Sequence, residues 1–217
     1  HVYDGHLHHP SLADRQSKVS EIIQQVRDYE KTRGAAAVIA GGSPTFGIWA
    51  SETLWQCSPG TTLLWDVGYG RSYPDLPFAI AAALITRVIS KPAQDGDGEK
   101  KRICLDLGHK AVASERPLDQ RVWFPDLIDA IFVSQSEEHL VLELPDTASI
   151  AIGDSFVGYP LHICPTVALH ATAVIVTDGN GHVLLCERIE PRVVQTVQGG
   201  IDAGESAFNA ACRELEE

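Results

Sequence analysis

His162-Ile163-Cys164-Pro165 sets an imidazole and a thiol two residues apart. In an extended segment, side chains at i and i+2 share a face, so both could reach one ion while Ile163 faces away. Pro165 stiffens the exit through its fixed φ. Zn²⁺ suits one nitrogen and one sulfur ligand, and two protein ligands leave positions for water or substrate. The same spacing also suits a small buried cysteine beside a satisfied core histidine, so the residues alone leave both readings open. His6, His8 and His9 pose a similar choice between a metal cluster and a solvated loop, and the loop is the better reading of His8 and His9. In Gly41-Gly42-Ser43-Pro44-Thr45 the glycines let backbone N–H groups approach an anion, and the two hydroxyls can add hydrogen bonds. The turn lacks the G-K-[ST] signature of a Walker loop, and an ordinary turn between a strand and a helix has the same composition. Glu214 and Glu217, three apart, share a helical face; they could hold a divalent cation or simply face solvent.

The elements that must position these groups are legible from periodicity. Residues 2–6 read as a short strand. Ser11-x-x-Asp14 resembles a capping box opening a helix, with Val19, Ile22, Ile23, Val26 and Tyr29 as its buried stripe and Gly34 at its end. The run Ala35–Ala40 is the next strand, delivering the glycine turn at its carboxyl end, where α/β sheets bind ligands. From about residue 51, short apolar runs alternate with Gly and Pro: 61–65, 84–89, 103–107, 131–133 and 140–144 read as strands of a compact β barrel or sandwich. Residues 92–101 form a polar loop, and Glu137-Glu138-His139 an exposed charged turn. Asp178-Gly179-Asn180-Gly181 joins two strands as a hairpin, and 206–217 reads as a helix.

Composition narrows the function classes. With 44% hydrophobic residues the 217-residue chain can build one large or two small cores. A net charge of −12 argues against a nucleic-acid surface or an anionic membrane as partner. Five cysteines without a C-x-x-C pair read as reduced thiols of a cytoplasmic protein, and no apolar run is long enough to span a membrane. Methionine is absent, and the chain opens inside an expected strand and closes inside an expected helix, the pattern of a piece of a longer product.

Several long stretches in order resemble the D-threonine aldolase family: Tyr3-Asp4-Gly5-His6, Gly41 to Thr45, Pro59-Gly60-Thr61, Trp65 to Tyr69, Leu105 to Ala113, Glu137 to Leu140 and His162 to His170. The resemblance implies the α/β end of an alanine-racemase-like pyridoxal phosphate (PLP) barrel over residues 1–50. A β-rich metal-binding domain follows over 51–170. It further implies that Gly41, Gly42, Ser43 and Thr45 hold the cofactor phosphate, that Tyr3 lines the cofactor, and that His6 is a candidate base near the substrate hydroxyl. Zn or Mn at His162 and Cys164 would bind that hydroxyl, so that deprotonation breaks the Cα–Cβ bond of a D-3-hydroxy amino acid to give glycine and an aldehyde. The similar D-serine dehydratases share this architecture, and Cys164 fits their branch, since many aldolases carry aspartate there; the Leu105 to Ala111 run points to the aldolase side. The Schiff-base lysine of the family lies early in the barrel, and none of Lys18, Lys31, Lys91, Lys100, Lys101 or Lys110 stands in a barrel motif, so the chain alone is expected to be inactive.

Residues 171–217 resemble the opening of a Nudix hydrolase domain. Gly199, Glu205, Arg213, Glu214, Leu215 and Glu217 fall at the positions of its box, which is cut before its last acidic residue. The resemblance implies Mg²⁺ on Glu214 and Glu217, with Glu217 helping activate water for attack on a diphosphate. The expected partners are a small D-amino acid and, through apolar surface left without a packing partner, a second copy of the chain. A reading of another class makes the chain a metal-binding assembly module that works with a partner barrel.

Overall fold

The computed structural model describes residues 1–34, 37–92 and 101–173, which form two compact units. The first comprises His1–Leu63 and Tyr69–Phe78 among the described residues; the second comprises Leu64–Gly68 and the described residues from Ala79 onward.

In the first unit, helix α1 (Leu12–Arg33) starts where the Ser11 hydroxyl accepts the Asp14 amide at 3.4 Å, and ends at Gly34 with a φ of 72°. Arg15, Val19 and Ile23 recur every four residues and are buried, so they form the inner face. Two corrections to the expected stripe follow: Tyr29 is 61% exposed, and the charged Arg15 takes a core position. Strand β1 (Ile39–Gly41) pairs in parallel with β2 (Gln56–Ser58). Parallel neighbours need a crossover, and α2 (Phe46–Glu52) provides it. Val2 contributes a single parallel bridge to Ala40 where a longer strand was expected. Leu7, Val19, Ile23, Ala40, Ile48 and Trp49 close the core, each large side chain stabilising by roughly 1.5–3 kcal/mol. This is the expected α/β organisation.

The second unit is built on antiparallel strands. β3 (Leu84–Ser90), β4 (Lys101–Leu105), β5 (Val122–Trp123), β6 (Ile131–Gln135), β7 (Leu140–Leu144) and β8 (Ser155–Pro160) form one sheet in the order β5-β8-β3-β4-β7-β6. In β7 the alternation is direct: Leu140, Leu142 and Leu144 are buried while Val141 and Glu143 lie on the other face, half-buried. Ile103 pairs with Leu142 and Leu105 with Leu140, putting four 0%-exposed side chains side by side on the core face of the sheet. Register shifts at Val88/Ser90 and Phe132/Ser134 bend the sheet at its centre and edge. The run 61–65, expected as a strand, is a 3₁₀ turn (Thr61–Leu63). Pro92 through Lys100, apart from Pro92 itself, and everything after Ala173 lie outside the described residues, including the expected hairpin and the helix of Glu214 and Glu217.

Candidate functional site

The histidine turn follows β8. His162 is in extended conformation (φ −146°, ψ 99°) and caps α4 (Ile163–Val167), so Cys164 is the second helical residue. This corrects the extended geometry expected for the pair: Pro165 sits in the first helical turn, where its missing N–H costs nothing. A cap and the second residue of the following turn are still close in the chain, and the Cys164 thiol is the main influence raising the His162 pKa.

Three buried groups fix the backbone of this turn. The Ile163 amide donates to Asp66 Oδ2 at 2.9 Å, the Thr166 hydroxyl donates to the His162 carbonyl at 2.8 Å, and the Ala113 amide donates to that hydroxyl at 3.2 Å. Asp66 and Thr166 are each 1% exposed. Trp65, the neighbour of Asp66, is buried and held at a positive φ of 44°. A Cβ on Gly68, in α3 (Val67–Ser72), would come within 2.2 Å of the Leu161 carbonyl, so glycine is required for the backbone at this position to approach the turn. None of this was legible as chemistry; the only sequence signal was the motif Trp65-Asp66-Val67-Gly68 itself.

The loop after β4 supplies the remaining partner. Asp106 Oδ1 accepts the Thr86 hydroxyl (2.7 Å) and the Arg87 amide (2.6 Å). A Cβ on Gly108 would strike the Glu137 carbonyl at 2.0 Å, and His170 Nε2 lies 2.7 Å from the Ala111 carbonyl. At the end of this pinned segment Glu115 Oε1 lies 2.6 Å from His162 Nδ1. Glu115 was missed by sequence reasoning, having only its place after Leu105 to Ala113 to mark it.

The electrostatics of the pair are mutual. The Cys164 thiol pushes the His162 pKa above 6.5; burial opposes this, and Glu115 reinforces it. Partial burial pushes the Glu115 carboxyl up, but the hydrogen bond from His162, its own amide and the nearby positive charges together hold it below the ordinary value. Cys57 and Cys104, by contrast, are pushed up by burial and stay thiols, while Cys164 is exposed. Among the described residues no group of three or more His, Cys, Asp or Glu side chains is placed to hold a metal ion. What the turn offers is two donors two residues apart and a carboxylate on the imidazole, a donor set whose chemistry suits a borderline-soft divalent ion with open positions.

The glycine turn is in the first unit. Gly42 has a φ of 104°, and a Cβ there would lie 1.8 Å from the carboxylate carbon of Asp4. Asp4, 0% exposed, accepts the Thr45 hydroxyl at 2.7 Å, and that hydroxyl accepts the Trp49 indole N–H at 3.0 Å. Thr45 therefore spends its side chain internally and does not offer the hydroxyl donor expected of it. Ser43 Oγ accepts the Thr61 amide at 3.0 Å and keeps its own proton to donate. The Tyr3 ring, 63% exposed, lies beside Gly41 together with the His1 ring, whereas Ser43 is buried. His6 is exposed in the turn at residues 5–6. His8 is exposed, as expected, and also lies 3.3 Å from Asp4 Oδ1 and edge-on to Tyr69 and Tyr73. The described lysines are engaged elsewhere: Lys18 with Glu21, Lys31 with Asp28, Lys91 with the Thr147 and Ile150 carbonyls, Lys101 with Asp146, and Lys110 with Glu137 and Glu138 in the exposed charged turn.

Residues 81–176 match a family described as a putative serine dehydratase domain, and residues 168–217 match the NUDIX domain. No curated protein matches the chain. Similar solved structures include D-threonine aldolase from Filomicrobium marinum (22% identity, TM-score 0.61, covering 85% of this chain and 50% of that one). Another is an alanine-racemase-like protein from Idiomarina loihiensis (20%, 0.62, 88% and 55%). A third is D-threo-3-hydroxyaspartate dehydratase from Delftia sp. HT23 (17%, 0.60, 88% and 55%). The chain thus spans about half the length of these proteins. It carries a match to a putative serine dehydratase domain and a match to a NUDIX domain, on a fold like that of D-threonine aldolase, an alanine-racemase-like protein and D-threo-3-hydroxyaspartate dehydratase.

Proposed function

We propose that the second unit is the metal-binding part of a PLP-dependent lyase acting on D-3-hydroxy amino acids, and that the first unit carries part of its phosphate-binding loop. One observation carries this reading: His162 and the exposed Cys164 stand two residues apart on a turn whose backbone is held by buried Asp66 and Thr166. The similar structures include two variants of D-threo-3-hydroxyaspartate dehydratase in which a histidine and a cysteine two positions on are replaced by alanine, the latter in a metal-free form. That spacing is the spacing of His162 and Cys164.

When bound, PLP supplies an electron sink and a divalent ion supplies a Lewis acid for the substrate's β-hydroxyl. His162 and Cys164 would hold the ion, Zn or Mn, through an imidazole nitrogen and a thiolate. Tyr3, Gly41, Gly42 and Ser43 would bind and orient the cofactor, with Asp4 and Thr45 beneath them as support. His6 would take the proton at the β-hydroxyl. Retro-aldol cleavage to glycine and an aldehyde is the reaction the Leu105 to Ala113 segment favours; dehydration is a second reading, favoured by cysteine at position 164. Residues 168–217 are proposed as a Nudix segment with Glu214 and Glu217 as Mg²⁺ ligands; these lie outside the described residues. Among the described residues no helix is long and apolar enough to cross a membrane.

The test is calorimetry and borohydride trapping on the full chain. Zinc-loaded chain should give binding heat with D-threonine that chelation abolishes. With added PLP, no single lysine should be fixed by borohydride. Absence of metal-dependent heat would overturn the substrate assignment, and one specifically labelled lysine would overturn the claim that this chain lacks the cofactor lysine.

A further inference from the structure

Glu115 lies 47 residues from His162 in the chain, yet its carboxylate meets one particular atom of that ring, Nδ1, at 2.6 Å. An ionised carboxylate only accepts hydrogen bonds, so Nδ1 must carry the proton at this contact. In the neutral imidazole this leaves Nε2 with the lone pair, and a ring held at one nitrogen can no longer turn freely about its own axis. We infer that Glu115 is the positioning residue of the histidine turn, selecting the tautomer of His162 and aiming Nε2 outward for a divalent cation. The inference rests on the reading of His162 and Cys164 as metal ligands.

The placement of Glu115 is built rather than incidental. Ala113, two residues earlier, donates its amide to the Thr166 hydroxyl, and the same hydroxyl donates to the His162 carbonyl. One buried oxygen therefore ties the segment carrying the carboxylate to the residue carrying the imidazole. Further back, Gly108 is packed so closely on the Glu137–Glu138 backbone that a Cβ would overlap it, and the Val112 side chain is 0% exposed. The segment reaching Glu115 is anchored at both of these points, whereas the carboxylate itself is 44% exposed. A partly exposed carboxylate–imidazole contact of this kind contributes little to stability, so its value lies in orientation. Carboxylates behind ligand histidines typically govern metal affinity by about 10–100-fold.

The test is zinc affinity by chelator competition on the full chain, with ¹⁵N NMR of the His162 ring in the metal-free protein. Wild type should show the Nδ1–H tautomer. Glu115→Ala should weaken zinc about 10–100-fold, with mixed tautomers and an unchanged melting temperature. Glu115→Asp should restore part of the affinity, because it keeps the negative acceptor on a shorter arm. Glu115→Ala with wild-type affinity and an unchanged ring, while His162→Ala abolishes binding, would overturn the positioning role and leave the ligand assignment standing. Wild-type chain that binds no zinc would overturn both. A melting temperature that falls with Glu115→Ala while metal affinity per folded molecule stays constant would show a structural contact and also overturn the inference.

Discussion

At the glycine turn after β1 the polar side chains bond to their own unit: Thr45 to Asp4 and Trp49, Ser43 to the Thr61 amide, and Asp4 beneath Gly42 where no Cβ fits. At the histidine turn after β8 the order is reversed, with buried Asp66 and Thr166 holding backbone groups of the turn while the imidazole is half-buried and the thiol exposed. The first turn is thus a shaped backbone with its side chains withdrawn, suited to binding an anion through N–H groups. The second is a fixed backbone with its side chains presented, suited to ligating a cation. The two ways of making a site should fail differently when broken.

The largest effect is expected at Gly42. Gly42→Ala places a methyl on the Asp4 carboxylate at a positive φ, and should destabilise the protein by about 2–4 kcal/mol in urea unfolding. A loss below the error of the measurement would mean that the turn is soft and not shaped by Asp4. Gly68→Ala meets the Leu161 carbonyl and should cost about 1–3 kcal/mol, together with weaker zinc binding, since the shift reaches His162 through Leu161. Equal stability loss with intact zinc affinity would separate the turn from its support.

The smallest effect is a pH dependence confined to the histidine turn. The folded pKa of His162 is raised, so its contribution to stability is fully present below its unfolded value near 6.5 and is lost as pH rises through the folded value. Glu115 has the opposite sign: its pKa is lowered, and its contribution is lost as pH falls through that lowered value. Melting temperatures of the metal-free chain should therefore decline as pH rises above about 6.5, and Cys164→Ser should flatten that decline. An identical profile in Cys164→Ser would remove the thiol as the main cause of the shift.

Periodicity and end signals made α1, β3, β4, β6 and β7 legible, because each has an apolar rhythm with a clear stop. β8 was not, because Gly158 and Pro160 look like turn residues. Gly158 is there for packing: a Cβ would lie 2.7 Å from Val122 and 2.8 Å from Phe124. α4 was hidden by Pro165, which normally pushes the preceding residue toward extended backbone, and by the brevity of a five-residue helix. Arg15 could not be placed, since its burial depends on the carbonyls of His9 and Pro10, on Asp75 and on the Tyr73 ring. At the site, the residues proposed as ligands stand out in the sequence by type and spacing. The residues that hold them, Asp66, Glu115 and Thr166, were not, because their meaning lies in contacts up to 97 positions away.

The most direct test of the central claim is the metal content of the full chain purified with zinc, compared with the double variant His162→Ala, Cys164→Ala. Stoichiometric zinc in the wild type and its complete loss in a folded double variant is the expected result. Equal zinc in both proteins would contradict the assignment of this turn as a metal centre.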